Sequence, residues 1–159
     1  MLWEEFEQSA PELAAFGRER LHRRVCYLAT VRKDGAPRVH PVTPLIAGGH
    51  LLVFMYPTSP KAHDLRRDGR FALHTSVLDN SGTGGEFAIT GHTRLVESAG
   101  LRKAAEEIAR HSAPDRYILF EFEIAGASST VYHDDTPVRE NWKGIEGRES
   151  RESESRDAP

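Results

Sequence analysis

The sequence has almost none of the material from which a disulfide, a cysteine-based zinc cluster or a membrane span is made. Cys26 is the only cysteine in 159 residues, which excludes an intrachain disulfide and makes a reducing, cytoplasmic setting the expectation. Its thiol reads as inert core. The longest unbroken apolar stretch, residues 51–56 (LLVFMY), is far below the roughly 20 residues a membrane helix needs. The acidic start MLWEEFEQSAPEL also has no basic segment followed by an apolar run, so no membrane partner is expected. Positive charge is in short supply, with 21 Lys plus Arg against 24 Asp plus Glu, so no bulk field exists to hold nucleic acid. Eight histidines are present without close pairing, and no metal site is expected. Gly82-Thr83-Gly84-Gly85 lacks the Gly-Lys-Ser/Thr ending of a nucleotide loop, and no serine nucleophile elbow occurs.

What remains is one ordinary domain over 1–143, followed by a low-complexity polar tail over 144–159 (GIEGRESRESESRDAP). Ser9 with Glu12 three residues later reads as a capping box opening a helix that ends near Arg24. Residues 25–31 (VCYLATV) form a strand, Asp34-Gly35 a hairpin turn, and 37–45 (PRVHPVTPL) the returning strand. Pro41 and Pro44 cannot donate to a ladder, so one side of that strand must be an edge, a bulge or a cofactor surface. Residues 51–56 make a third strand, and Ser59-Pro60 caps a short helix running to about Arg67. Further strands are expected over 71–76, 86–97 (with a bulge or bend at Gly91) and 117–124, and a helix over 99–111. Six short strands joined mostly by tight turns point to a small α+β barrel, mainly β, rather than a doubly wound parallel sheet.

The chemistry concentrates at residues 58–63. A helix opening at Ser59-Pro60 directs backbone N–H groups and the positive dipole end outward, where the Thr58 and Ser59 hydroxyls and the Lys61 ammonium converge. That is a compact phosphate cradle, although a plain capped surface helix with a solvated Lys61 accounts for the same residues. If the second strand lies beside the third, Arg38 adds a fork of donors to the point charge. The proline-interrupted run Val39-His40-Pro41-Val42-Thr43 would offer unpaired backbone groups to a ring system beside that phosphate. Trp142, alone in a polar segment, reads either as a stacking lid or as packing over the barrel end. No side chain is singled out as a catalytic acid or base.

These features together resemble a known family. The strand ending Leu-Ala-Thr-Val, the turn Lys-Asp-Gly-Ala-Pro, the strand from Arg38 to Val42, and Ser59-Pro60-Lys61-Ala62-His63 leading to Phe71-Ala72-Leu73 are similar to the pyridoxamine 5′-phosphate oxidase-like, FMN-binding split-barrel proteins. The resemblance continues through residues 86–91 and 120–122. It implies a six-stranded antiparallel split β-barrel with flanking helices, a homodimer with FMN at the subunit interface, and flavin-dependent oxidation or reduction of a small molecule. By residue, it implies that Arg38, Ser59 and Lys61 hold the phosphate, with Thr58 beside them. The backbone of Val39, His40, Pro41, Val42 and Thr43 and of Phe54-Met55 would line the ring, Glu86 would lie near the cofactor, and Trp142 would come from the partner chain. The late basic residues and longer insert of members that oxidise pyridoxamine phosphate are not recognisable here. Related split barrels bind the deazaflavin F420 or haem in place of FMN, and a dimer that has lost its cofactor is a third alternative.

Overall fold

Tight turns set the order of the strands. In the computed structural model, which describes residues 1–109, 116–134 and 136–144, β1 (Cys26–Val31) and β2 (Pro37–Val42) form a hairpin. Gly35 takes φ of 83° at the turn, and Asp34 Oδ1 accepts the Ala36 N–H at 3.1 Å. β3 (Leu45–Ala47) and β4 (His50–Met55) form a second hairpin across Gly48-Gly49, both at positive φ, a conformation for which glycine carries no steric cost. The remaining strands are β5 (Arg70–Thr75), β6 (Glu86–Leu95), β7 (Ile118–His133) and β8 (Thr136–Lys143). All pair antiparallel in one sheet of order β2-β1-β5-β6-β7-β4-β3, with β8 on β7.

This sheet does not close. Its two ends, β2 and β3, are separated in the chain by only Thr43 and Pro44, so the sheet must curl until its ends meet at a seam beside those residues. Inside the curl lie Leu28, Leu51, Leu73, Phe87, Phe120 and Phe122, all at 1% exposure or less. Helices α1 (Trp3–Ser9) and α2 (Pro11–Leu21) cover this core with Trp3, Phe6, Leu13 and Leu21. A smaller cluster of Leu45, Leu52 and Leu119 is covered by α4 (Ala99–Ala109) through Ala105. The architecture is therefore α+β, mainly β, a split barrel with flanking helices, and no described helix is long and apolar enough to cross a membrane.

Eight strands replace the six expected. Pro44 interrupts the run 37–45, so that Leu45 starts a separate strand. β7 continues nine residues past Ile124, through a segment of Ala, Gly and Ser without apolar alternation, and recruits the polar β8 as its partner. At the front, Ser9 ends α1 rather than capping a helix. Ala10 precedes Pro11 of α2, so the expected single helix is two. The bulge at Gly91 is present, as a register shift between Thr90 and Gly91. Beyond Gly144 the polar tail lies outside the described residues, as do residues 110 and 111 of the helix expected over 99–111. Cys26 is fully buried, and burial pushes its thiol up to about 12, which keeps it protonated and unreactive.

Candidate functional site

Next to the seam, β4 hands the chain to α3 (Pro60–Arg67) through Tyr56-Pro57-Thr58-Ser59. Ser59 caps the helix: its Oγ accepts from the Ala62 N–H at 3.4 Å and donates to the Tyr56 carbonyl at 2.8 Å. The first turn of a helix leaves its N–H groups without intrahelical partners. Here Pro60 has none to offer, Ala62 donates to Ser59 Oγ, and His63 donates to Ser59 O at 3.1 Å. The Lys61 amide is what remains. Its ammonium rises from the same spot, half-buried, without a carboxylate within 4 Å among the described residues, and burial lowers its pKa. Thr58 is exposed beside it, its hydroxyl unpartnered among those residues.

Strand β2 delivers a second cation. Its residues alternate, with Arg38, His40 and Val42 turned inward and Val39, Pro41 and Thr43 outward. The Arg38 Nε donates to Asp64 Oδ2 at 2.8 Å, and Asp64, on α3 three residues after Lys61, is 3% exposed. Asp64 also accepts from the Thr30 hydroxyl at 2.9 Å and from Arg67 at 3.3 Å. Burial pushes its carboxyl up, but the Thr30 hydrogen bond and the two guanidiniums outweigh that and hold it below the usual carboxylate range. Asp64 thus locks Arg38 against α3, and the remaining Arg38 N–H groups are unpartnered among the described residues. His40 lies within electrostatic reach of both cations. Its Nε2 is buried without a hydrogen-bond partner, and burial, Lys61 and Arg38 lower its pKa against the smaller opposing effect of Asp64. A corner with two cations, a spare helix amide and an unpaired ring nitrogen is chemically suited to an anion.

A folded-state pKa held below the unfolded value, about 3.9, makes Asp64 stabilising above that value and less so as pH falls through the folded one. Asp64→Asn is expected to cost about 2–3 kcal/mol at neutral pH and to narrow the gap to wild type below about pH 4. Urea unfolding of both proteins across pH 3–7 checks this, and a constant gap contradicts it.

A cleft of 590 Å³ opens at the seam and is lined by the sequence-nominated Pro41, Val42, Thr43, Phe54, Met55 and Lys61. It is also lined by Arg23, Leu45, Tyr56, Tyr117 and Ala109, which sequence reasoning missed. Tyr56 ends the strand expected over 51–56 and packs tilted against Tyr117, ring centroids 4.2 Å apart, but nothing in the sequence pairs those rings. Arg38 lines a neighbouring depression with Asp64 and Arg67. Thr58, Ser59 and His40 lie beside Lys61, whereas Val39, Glu86 and Trp142 are not among the residues that line this cleft. Val39 is 61% exposed on the outer face, and Glu86 lies 3.6 Å from His74. Trp142, on β8, meets Phe6 of its own chain edge-on at 4.8 Å. A larger opening of 760 Å³ lies near the end of α2, but two of its arginines are engaged, Arg18 by Glu7 and Arg20 by the Gly84 carbonyl. We place the candidate site at the seam, where Lys61 and Arg23 line the cleft without an ion-pair partner among the described residues and the Asp64-bound Arg38 lies on the same helix–strand contact.

The sequence matches the pyridoxamine 5′-phosphate oxidase family model across residues 10–130, and the chain belongs to that family. No curated protein matches the sequence. Among solved structures the chain is similar to a haem-binding protein from Mycobacterium smegmatis at 15% identity and a TM-score of 0.65, over 81% of this chain and 57% of that longer one. It is similar to a protein from Clostridium acetobutylicum related to general stress protein 26 of B. subtilis, of the pyridoxinephosphate oxidase family, at 13% identity and a TM-score of 0.58, over 91% and 97% of the two chains. An F420 reductase aligns at 15% identity and a TM-score of 0.55, over 69% and 94%. At these identities the structural likeness speaks for the fold alone.

Proposed function

We propose that this chain is an FMN-binding oxidoreductase that works as a homodimer on a small-molecule substrate. The observation that carries the reading is the pair of cations at α3, Lys61 in its first turn and Arg38 bonded to Asp64 three residues further on, together with the unpaired Nε2 of His40, which feels both charges. The phosphate dianion of FMN would be held by the Arg38 guanidinium, the Lys61 ammonium and amide and the Thr58 hydroxyl, with Ser59 supporting them as the helix cap. The outer edge of β2, paired on one side only, leaves main-chain groups of Val39 to Thr43 for the polar rim of the ring, and Met55 with Val42 supplies an apolar floor. When bound, the flavin supplies hydride chemistry; the protein supplies position, hydrogen bonds and exclusion of water.

Dimerisation is supported by the outer face of the sheet. In ladder register across β2, β1, β5 and β6 stand Pro41, Tyr27, His74 and Ala88, and beside them Val39, Ala29, Ala72 and Thr90. Tyr27 is 48% and Val39 61% exposed, so this face presents apolar surface of the kind that a second copy covers. Glu86 and His74 lie on or beside that face, where a cofactor shared between subunits would meet them. Trp142 would close the site only if the assembled dimer brings it from the partner chain.

Haem is the second reading, because a buried, unpartnered imidazole nitrogen such as His40 Nε2 is also what an axial ligand requires. Absorbance and mass of the ligand released from purified protein separate the two. A flavin's visible absorbance with the mass of FMN is expected; a Soret band, the F420 mass or a colourless protein with no ligand would overturn the flavin reading.

A further inference from the structure

We infer that Arg23 recognises a carboxylate on the substrate, an inference that rests on the flavin reading of the same cleft. Arg23 lies two residues past Leu21, the last residue of α2, with φ of 57°. This is the left-handed position at which helices usually place glycine, and a side chain there costs about 1 kcal/mol. The backbone fixes the conformation without help from the side chain. The Arg23 N–H donates to the Pro44 carbonyl at 2.8 Å, and the Arg24 N–H donates to the Leu21 carbonyl at 3.2 Å. Glycine would serve this turn better than arginine does.

Arg23 is one of the residues that line the seam cleft, together with Thr43 and Lys61. Among the described residues its guanidinium makes no hydrogen bond and no ion pair. A cation past a helix C-terminus can complement the dipole, but Arg18 and Arg20 already occupy the last turn of α2. With the phosphate assigned to Arg38 and Lys61, Arg23 is left as a further cation on a lining that includes Leu45, Phe54 and Tyr117. A ring-shaped substrate can pack against such a wall, and the planar guanidinium fork matches a carboxylate with two parallel hydrogen bonds. The ligand class is therefore a small planar carboxylate, and an uncharged ring of the same shape would leave the fork unmatched.

The test uses FMN-loaded protein titrated with benzoate and, separately, with uncharged benzamide, read as the shift of the flavin visible absorbance. Benzoate is expected to bind roughly tenfold or more tightly than benzamide in wild type. In Arg23→Gly that preference disappears while FMN affinity stays within about twofold and the melting temperature is unchanged or higher. Arg23→Lys keeps the charge without the fork and falls between. Equal binding of the two probes in wild type, or the same benzoate preference in Arg23→Gly, overturns the inference. FMN failing to bind wild type is seen before any benzoate is added; it overturns the flavin reading and takes this inference with it. Loss of FMN in Arg23→Gly alone would assign Arg23 to the cofactor and overturn only the inference.

Discussion

Replacing Arg38 and Lys61 together by alanine lowers affinity for FMN by something on the order of a thousandfold and leaves riboflavin binding nearly unchanged. Hydrogen bonds to charged groups are worth about 1.5–3 kcal/mol each, so losing two removes roughly 3–6 kcal/mol, or about one factor of ten per 1.4 kcal/mol. Riboflavin lacks the phosphate and therefore reports any general damage to the cleft. That control matters because Arg38 also satisfies the buried Asp64, and its removal leaves the carboxylate with Thr30 and Arg67 alone. Lys61→Ala spares every partner of Asp64, so a loss of FMN affinity in that single variant cannot be an effect of Asp64. Flavin fluorescence titration of the three proteins gives the comparison, and equal losses for both ligands would refute the phosphate assignment.

Gly91→Ala is expected to have the largest effect on stability. A Cβ at Gly91 would be driven into the Glu123 carbonyl oxygen of the neighbouring strand, well inside contact distance, and a backbone oxygen within a ladder has nowhere to go. β6 and β7 form the longest pairing in the sheet, so the shift would pass into both strands. Unfolding free energy should fall by about 3 kcal/mol or more, measured by urea denaturation or seen as failure to accumulate soluble protein. Gly100→Ala is the matched control. Its Cβ would meet only the end of the Ser98 side chain at 3.9 Å, in the first turn of α4. There alanine should be neutral or stabilising by up to about 1 kcal/mol. If Gly91→Ala is no worse than Gly100→Ala, the described bulge is wrong.

The parts of this molecule that were legible in the sequence are those decided by neighbours along the chain. The Asp34-Gly35 turn, the apolar run over 51–56 and the Ser59-Pro60 cap each combine a conformational rule with a few adjacent residues. Arg38 and Lys61 were readable because both lie close to such markers, one on a strand containing prolines and the other behind a cap. Asp64 was not, since its role depends on Thr30, Arg38 and Arg67, which only the packing of α3 brings together. Strand β8 was missed because nearly every residue in it is exposed and its pairing with β7 leaves no apolar period to detect. Arg23 escaped notice for a similar reason: a left-handed arginine lining the cleft reads, in one dimension, as another basic residue near a helix end.

The anion corner at the seam ties fold to chemistry, for it depends on a chain that leaves β4, caps α3 with Ser59 and faces Arg38 on β2. The most direct test strips the purified protein of ligand and titrates it with FMN and with riboflavin, following flavin fluorescence. Saturable quenching by FMN, with riboflavin weaker by roughly a thousandfold, is what the account predicts. Equal affinity for the two flavins, or binding of neither, would contradict it.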